Sequence, residues 1–268
     1  LIHDWEGSVP EEESLIEEGR MSFLDHLEEL RSRLLRAVIA IIIGFVICIA
    51  FGERVFSLFA APITKLLPKD ASLVFTSLPD PFFVYLKVSF ISGIFLVLPY
   101  VLYQVWLFVR PGLLEEEKKY ALPFIVVSTL LFYLGALFAY FVVFPAAFKF
   151  FLSYETADLK PMISIRDYVS LVMLLMLAFG AVFETPIVIV LLGLLGVVDS
   201  DLLRRGRRYF IVLAFIIAAL LTPTPDVINQ TLMAIPLMIF YELGIQLLRI
   251  IEKKRKKQEE RLEAENED

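Results

Sequence analysis

YVSLVMLLMLAFGAVFETPIVIVLLGLLGVV, residues 168–198, carries one charge, Glu184, in 31 residues. A run this long and this apolar reads as a helix that crosses a membrane. A carboxylate in the middle of such a span costs about 2.5 to 3.5 kcal/mol to insert. Glu184 therefore faces protein, a wet cavity or a polar partner; the plainer alternative is a protonated acid that hydrogen-bonds a neighbouring helix. At 1.5 Å per residue the run reaches about 45 Å, more than a hydrocarbon core of about 30 Å needs, so it tilts or bends. Thr185-Pro186 supplies the bend. Proline has no N–H for the carbonyl of Val182, which frees a polar backbone group close to Glu184.

The rest of the chain agrees that lipid is its solvent. Hydrophobic residues make up 58% of the sequence, Phe alone contributes 24 of 268 residues, and the mean hydropathy is +0.74. The single cysteine, Cys48, lies in an apolar stretch and reads as a small buried hydrophobe, with no disulfide framework available. Net charge is −6 overall, but the acids concentrate at the ends. Residues 1–20 hold seven acids and one Arg, residues 258–268 hold six acids and one Arg, and the body between them is net basic. Acidic blocks of this kind are expected to stay solvated and disordered. Met21 is a plausible native start, so 1–20 is either an acidic N-terminal tail or an appended remnant, followed by a core over 21–250 and a charged C-terminal tail over 251–268.

Apolar segments fall at about 35–52, 82–108, 120–147, 168–198, 209–221 and 227–248. An even number places both ends on one side. Flanking bases number 18 on the side of the termini and 6 on the other, which puts both termini in the cytoplasm. The first span is too long for a cleavable signal peptide. The one remaining base, Lys87, is close enough to the outer end of the second span to snorkel out. The fold expected is an all-α membrane protein, six transmembrane helices in a concave bundle with helices five and six short. Tyr209 to Leu221 reaches only about 20 Å. It ends in Thr222-Pro223-Thr224-Pro225-Asp226, a turn expected below the outer membrane surface, with Asp226 as N-cap of a sixth helix that carries Asn229 and Gln230 early and Pro236 later. Pro62, Pro99, Pro111 and Pro145 join Pro186 as candidate structural positions. Outside the membrane, 53–80 reads as short amphipathic helices with a stripe of Phe56, Leu58, Phe59, Ile63, Leu66 and Leu67; with 148–167 it caps the outer face.

On the cytoplasmic side Ser22 to Leu34 reads as an amphipathic helix running into the first span, capped by Ser22 and Asp25, with Phe23, Leu27, Leu30 and Leu34 as its apolar stripe. Glu28 and Glu29 lie on its polar side. Physics alone favours ordinary helix pairs here, Glu29 with Arg33 and Glu28 with Arg31, worth a few tenths of a kcal/mol, roughly. Glu115-Glu116-Glu117 before Lys118-Lys119 likewise reads first as a solvated acidic helix start.

Several ordered stretches alter that balance. They are His26-Leu27-Glu28-Glu29-Leu30-Arg31, Tyr103-Gln104-Val105-Trp106, Phe108-Val109-Arg110-Pro111-Gly112-Leu113, and Ala139-Tyr140-Phe141-Val142-Val143-Phe144-Pro145. Phe179-Gly180-Ala181-Val182-Phe183-Glu184-Thr185-Pro186 follows, then Leu221-Thr222-Pro223 through Asp226, Gln230, Thr231 and Leu232. With these the chain resembles the TatC family, the multispanning core of the twin-arginine protein translocase, over essentially all of 21–250. One departure is the turn, commonly Thr-Pro-Pro-Asp in the family, where Thr224 here separates the prolines.

The resemblance implies a receptor and assembly core of Sec-independent export in the bacterial inner membrane, driven by the proton-motive force. Its ligand would be the Arg-Arg pair of a signal peptide on folded cargo, bound by Glu29 and Glu117 with His26 and Arg31 nearby. Two adjacent guanidiniums suit two separated carboxylates, since each forks onto one. By the same resemblance Glu184, Gln230, Thr222 and Asp226 form the intramembrane polar set that meets small single-span partners of the TatA and TatB type. Further copies of the chain in the complex, and membrane lipids, complete the expected partners.

Other classes fit less well. A proton- or ion-coupled secondary transporter would explain Glu184, yet the halves of the chain show no internal repeat and no matched pair of interrupted spans. No H-E-x-x-H or G-x-S-x-G occurs, and His3 and His26 are the only histidines, so no enzyme, metal or cofactor is expected. Arg204-Arg205-Gly206-Arg207-Arg208 and Lys253 to Lys257 follow from topology and anionic lipid rather than nucleic acid.

Overall fold

The computed structural model describes residues 11–66, 73–113, 121–153, 156, 162–221 and 227–267. Helix α1 spans Glu11–Ile49 and α2 Gly52–Leu66; strand β1 is Leu73–Val74; α3 spans Asp80–Val109 and closes in a 3-10 turn, Arg110–Gly112. Helix α4, Ala121–Phe138, passes through a π-helical stretch, Ala139–Val143, into α5, Phe144–Leu152. Strand β2, Ile163–Ser164, leads into α6, Ile165–Phe183, then α7, Thr185–Leu194, α8, Ser200–Leu221, and α9, Val227–Glu267. Five helical stretches among the described residues are long and apolar enough to cross a membrane: His26–Ile49, Asp80–Gly112, Ala121–Leu152, Ile165–Leu194 and Gln230–Lys257. Helix α8 opens on four arginines, and its apolar part begins only at Tyr209. It still runs antiparallel along α9, from the Arg207–Glu242 ion pair at one end to Gln230 on the Phe215 carbonyl at the other.

Both ends of the chain depart from expectation. Helix α1 begins at Glu11, so Ser22 lies inside a helix rather than at its cap. The last acidic block likewise continues α9 to Glu267. Each is carried by a long helix that contains one of these apolar spans, and an established helix propagates far more readily than a new one nucleates.

The proline positions differ in effect. Pro62 and Pro99 lie inside continuous helices, Pro111 sits in the 3-10 turn, and Pro145 opens α5 just after the π segment. A widened turn before Pro145 fits a residue that cannot donate to the carbonyl four back. At Pro186 the helix breaks: α6 ends at Phe183 and α7 restarts at Thr185, with Glu184 between them.

Helices α1 and α3 touch through backbone. A Cβ on Gly44 would lie 2.6 Å from the Gly93 carbonyl oxygen. Tight contact of this kind replaces the hydrophobic effect, which lipid does not supply between helices. The largest core cluster centres on Val84, Val88, Phe144, Val169, Val172 and Phe179, from α3, α5 and α6. Helix α2 packs on it through Phe59 and Ile63, while Leu58, expected in the apolar stripe, is 66% exposed. Tyr140 and Tyr168 explain the orientation: their hydroxyls donate to the Leu58 and Phe59 carbonyls and fix which side of α2 faces in. Leu66 and Leu67 fall outside the described side chains.

At the end remote from the N-terminus, β1 and β2 pair in parallel, Leu73 with Ile163 and Val74 with Ser164, joining the two loops there. Asp80, almost fully buried at the start of α3, accepts from the Ser77 N–H and the Thr76 hydroxyl and meets Arg166 of α6 at 3.6 Å. Lys87 does not reach outward alone. Its Nζ donates to the Ser170 hydroxyl of α6 at 3.0 Å, a partner 83 residues away in sequence.

Candidate functional site

The first candidate lies on the terminal side, where α1 meets the end of α3. Glu29 and Arg33 are one turn apart on α1, and both Nε and Nη2 of Arg33 donate to the same oxygen, Oε1, at 3.3 and 2.9 Å. Glu29 thus has the helix partner that spacing gives it. Its Oε2 makes no hydrogen bond among the described residues, and its side chain is 30% exposed. His26, three residues earlier on the same face, stacks on Phe108 of α3 with ring centroids 4.5 Å apart. Together with Gly44 against Gly93, that stack fixes the antiparallel register of α1 on α3. Arg31 is exposed and two residues from Glu29, hence on another side of the helix; Glu28, equally exposed, has no ion pair with it. Glu117 lies outside the described residues.

The same end of α3 holds two polar groups that the sequence reading passed over. Gln104 Oε1 and Trp106 Nε1 are buried with no hydrogen-bond partner among the described residues. Gln104 is one turn from Phe108, and Trp106 packs on Phe124 of α4. The Tyr103–Trp106 stretch was a signal for them only as a motif, because a polar amide inside an apolar helix does not reveal which neighbour it faces.

The second candidate is Glu184. Ser128 of α4 donates its hydroxyl to Glu184 Oε2 at 2.8 Å, while Oε1 is buried without a partner among the described residues. The carbonyl that Pro186 leaves free is not vacant. The Thr185 hydroxyl donates to Val182 O at 2.6 Å, and the Glu184 N–H turns back to Ala181 and Val182. Backbone demand at the break is met locally, and the unmet polar capacity rests on the carboxylate. Phe183 next to it packs at a tilt on Phe240 of α9, ring centroids 4.2 Å apart, and Gly244 of α9 lies against Ile189 and Pro186.

Gln230 occupies a different level. Its Nε2 donates to the Phe215 carbonyl of α8 at 3.0 Å. Phe240 follows it by ten residues, about 15 Å along α9, so Gln230 and Glu184 are not one cluster. Thr222 and Asp226 lie outside the described residues. Among those described, no group of histidines, cysteines and carboxylates has the arrangement to hold a metal ion.

Comparison with known proteins bears on both candidates. The family model for "Sec-independent protein translocase protein (TatC)" matches residues 25–236. The protein of that name from Desulforapulum autotrophicum is 43% identical over 252 residues, covering 94% of this chain and 93% of the relative. The one from Escherichia coli K12 is 41% identical over 243 residues, covering 91% and 94%. A crystal structure of "Twin Arginine Translocase Receptor- TatC" superposes with a TM-score of 0.74 at 43% identity, over 84% of this chain and 98% of that one. With a family match through most of its length, close relatives aligned almost end to end and the same fold in a solved member, the chain belongs to the TatC family of Sec-independent protein translocases.

Proposed function

We propose that this chain is the signal-recognition receptor of its translocase, binding the Arg-Arg pair of signal peptides on folded cargo through Glu29 and Glu117. The observation that carries the reading is the Glu29 carboxylate, which Arg33 holds by one oxygen while Oε2 has no hydrogen bond among the described residues, on a part-exposed side chain. An incoming guanidinium takes Oε2 without displacing Arg33, and the second arginine takes Glu117 across the first cytoplasmic loop. His26 sets the position of α1 on α3 by its stack, and Arg31 marks the exposed rim. The role is binding and assembly rather than catalysis.

The surrounding architecture in this reading is a bacterial inner-membrane protein with six crossings and both termini in the cytoplasm, α8 being the short fifth crossing. Single-span partners of the TatA and TatB type dock at the level of Glu184 and, separately, near Gln230, Thr222 and Asp226. Several copies assemble, and the proton-motive force drives export. Site-specific photocrosslinking from positions 29 and 117 to a signal peptide tests the recognition step. Crosslinks from both positions that vanish when the Arg pair is replaced by Gln support it; crosslinks indifferent to the pair refute it.

A further inference from the structure

At the opposite end of α1 lies a cavity of about 600 Å³, bounded by Ile49, Phe51, Gly52 and the charged pair Glu53 and Arg54 on one side and by Tyr85 and Ser89 of α3 on the other. Its location is set by the fold: the apolar span of α1 ends at Ile49, and α2 begins at Gly52. Glycine keeps the space open, because a Cβ at position 52 would point at Tyr85 and Ser89, 3.5 and 3.8 Å away.

Two features of the lining point to a ligand. The Ser89 hydroxyl is fully buried at the cavity floor and has no hydrogen-bond partner among the described residues. A buried hydroxyl left so is costly, and within a helix it ordinarily turns to a backbone carbonyl. In addition, Glu53 and Arg54 are adjacent, oppositely charged and exposed, yet no ion pair joins them among the described residues, and neither pairs with another residue there. Successive helical residues project about 100° apart, so the two charges flank the space instead of closing across it.

We propose that this cavity binds the headgroup of an aminophospholipid, a phosphate and a primary ammonium held as one zwitterion. Arg54 takes the phosphate, since a guanidinium fork matches two phosphate oxygens. Glu53 accepts the ammonium, and Ser89 donates to a glycerol or ester oxygen. The acyl chains lie along the exposed apolar faces of α1 and α3, where Val46, Ile47 and Phe90 are open to lipid. Choline lacks the N–H groups that Glu53 needs, and an anionic glycerol headgroup offers Glu53 no cation. The site lies at the end of the bundle remote from Glu29, so it stands or falls independently of signal recognition.

The full-length chain, reconstituted in nanodiscs with equal amounts of phosphatidylethanolamine, phosphatidylcholine and phosphatidylglycerol and then extracted, is examined for retained lipid by native mass spectrometry. Phosphatidylethanolamine is expected to be enriched about tenfold over the other two, the size one or two charge-assisted hydrogen bonds give. Arg54→Gln, Glu53→Gln and Gly52→Leu should each bring retention down to the level of phosphatidylcholine. Ser89→Ala, a near-isosteric change, should lower it part of the way, and decides the matter should a larger change disturb folding. Equal retention of the three lipids, or enrichment unaltered by Ser89→Ala and Glu53→Gln, overturns the proposal. Displacement of the lipid by soluble phosphoethanolamine at low millimolar concentration also overturns it, by assigning the site to a free zwitterion.

Discussion

Ser128 donates to one oxygen of Glu184 and leaves the other buried without a partner among the described residues, in the gap between α6 and α7. An incoming helix that presents a donor there completes the carboxylate's hydrogen bonding. Gln can turn its carbonyl oxygen to that donor while its amide N–H donates to the Ser128 hydroxyl, so Glu184→Gln should retain most crosslinking to single-span partners. Glu184→Ala should weaken it by about 0.6 to 2 kcal/mol, roughly three- to thirtyfold, without unfolding the protein. Quantified partner crosslinking across the three forms checks this. Intact partner contacts with transport abolished in the Gln form would instead assign Glu184 a proton-transfer role.

The crossing of α1 and α3 should be intolerant of added bulk. At Gly93 a Cβ would come within 2.5 Å of the Phe45 backbone nitrogen, and at Gly44 the obstacle is the Gly93 carbonyl. Backbone atoms cannot rotate aside, so Gly44→Ala and Gly93→Ala should each lower stability by about 1 to 3 kcal/mol. Gly206→Ala, where the nearest atom is the Tyr241 hydroxyl oxygen at 3.7 Å, should be close to neutral. Thermal unfolding in detergent separates these outcomes.

The legible parts of the fold were those governed by local chemistry. Proline at 186 lacks a donor, so the break beside Glu184 followed from two residues, and the long apolar runs announced the spans. What stayed hidden was long-range. Lys87 finds Ser170 only once α3 lies on α6, and β1 pairs with β2 only after both loops are brought to one end. At the candidate site, Glu29 with Arg33 was readable from spacing, whereas the His26 stack on Phe108 depends on the α1–α3 register.

The junction of α8 and α9 should be recessed. The apolar part of α8, from Tyr209 to Leu221, reaches about 20 Å where the hydrocarbon core is about 30 Å. Spin labels at Val227, which begins α9, and at Met162, which precedes β2, should report different depths in a bilayer. Val227 should be the less accessible to water-soluble relaxing agents. Equal accessibility would mean the turn reaches the surface.

The most direct test of receptor function is titration of a signal peptide onto the reconstituted chain at fixed low salt, with the peptide's Arg pair intact or changed to Lys. Losing one charge-assisted pair costs about 1.5 to 3 kcal/mol, so Glu29→Gln and Glu117→Gln should each weaken binding of the Arg-Arg peptide roughly 10- to 150-fold. The Lys-Lys peptide should bind less tightly to the unaltered chain and lose less in either variant. Unchanged affinity in both variants would contradict the account.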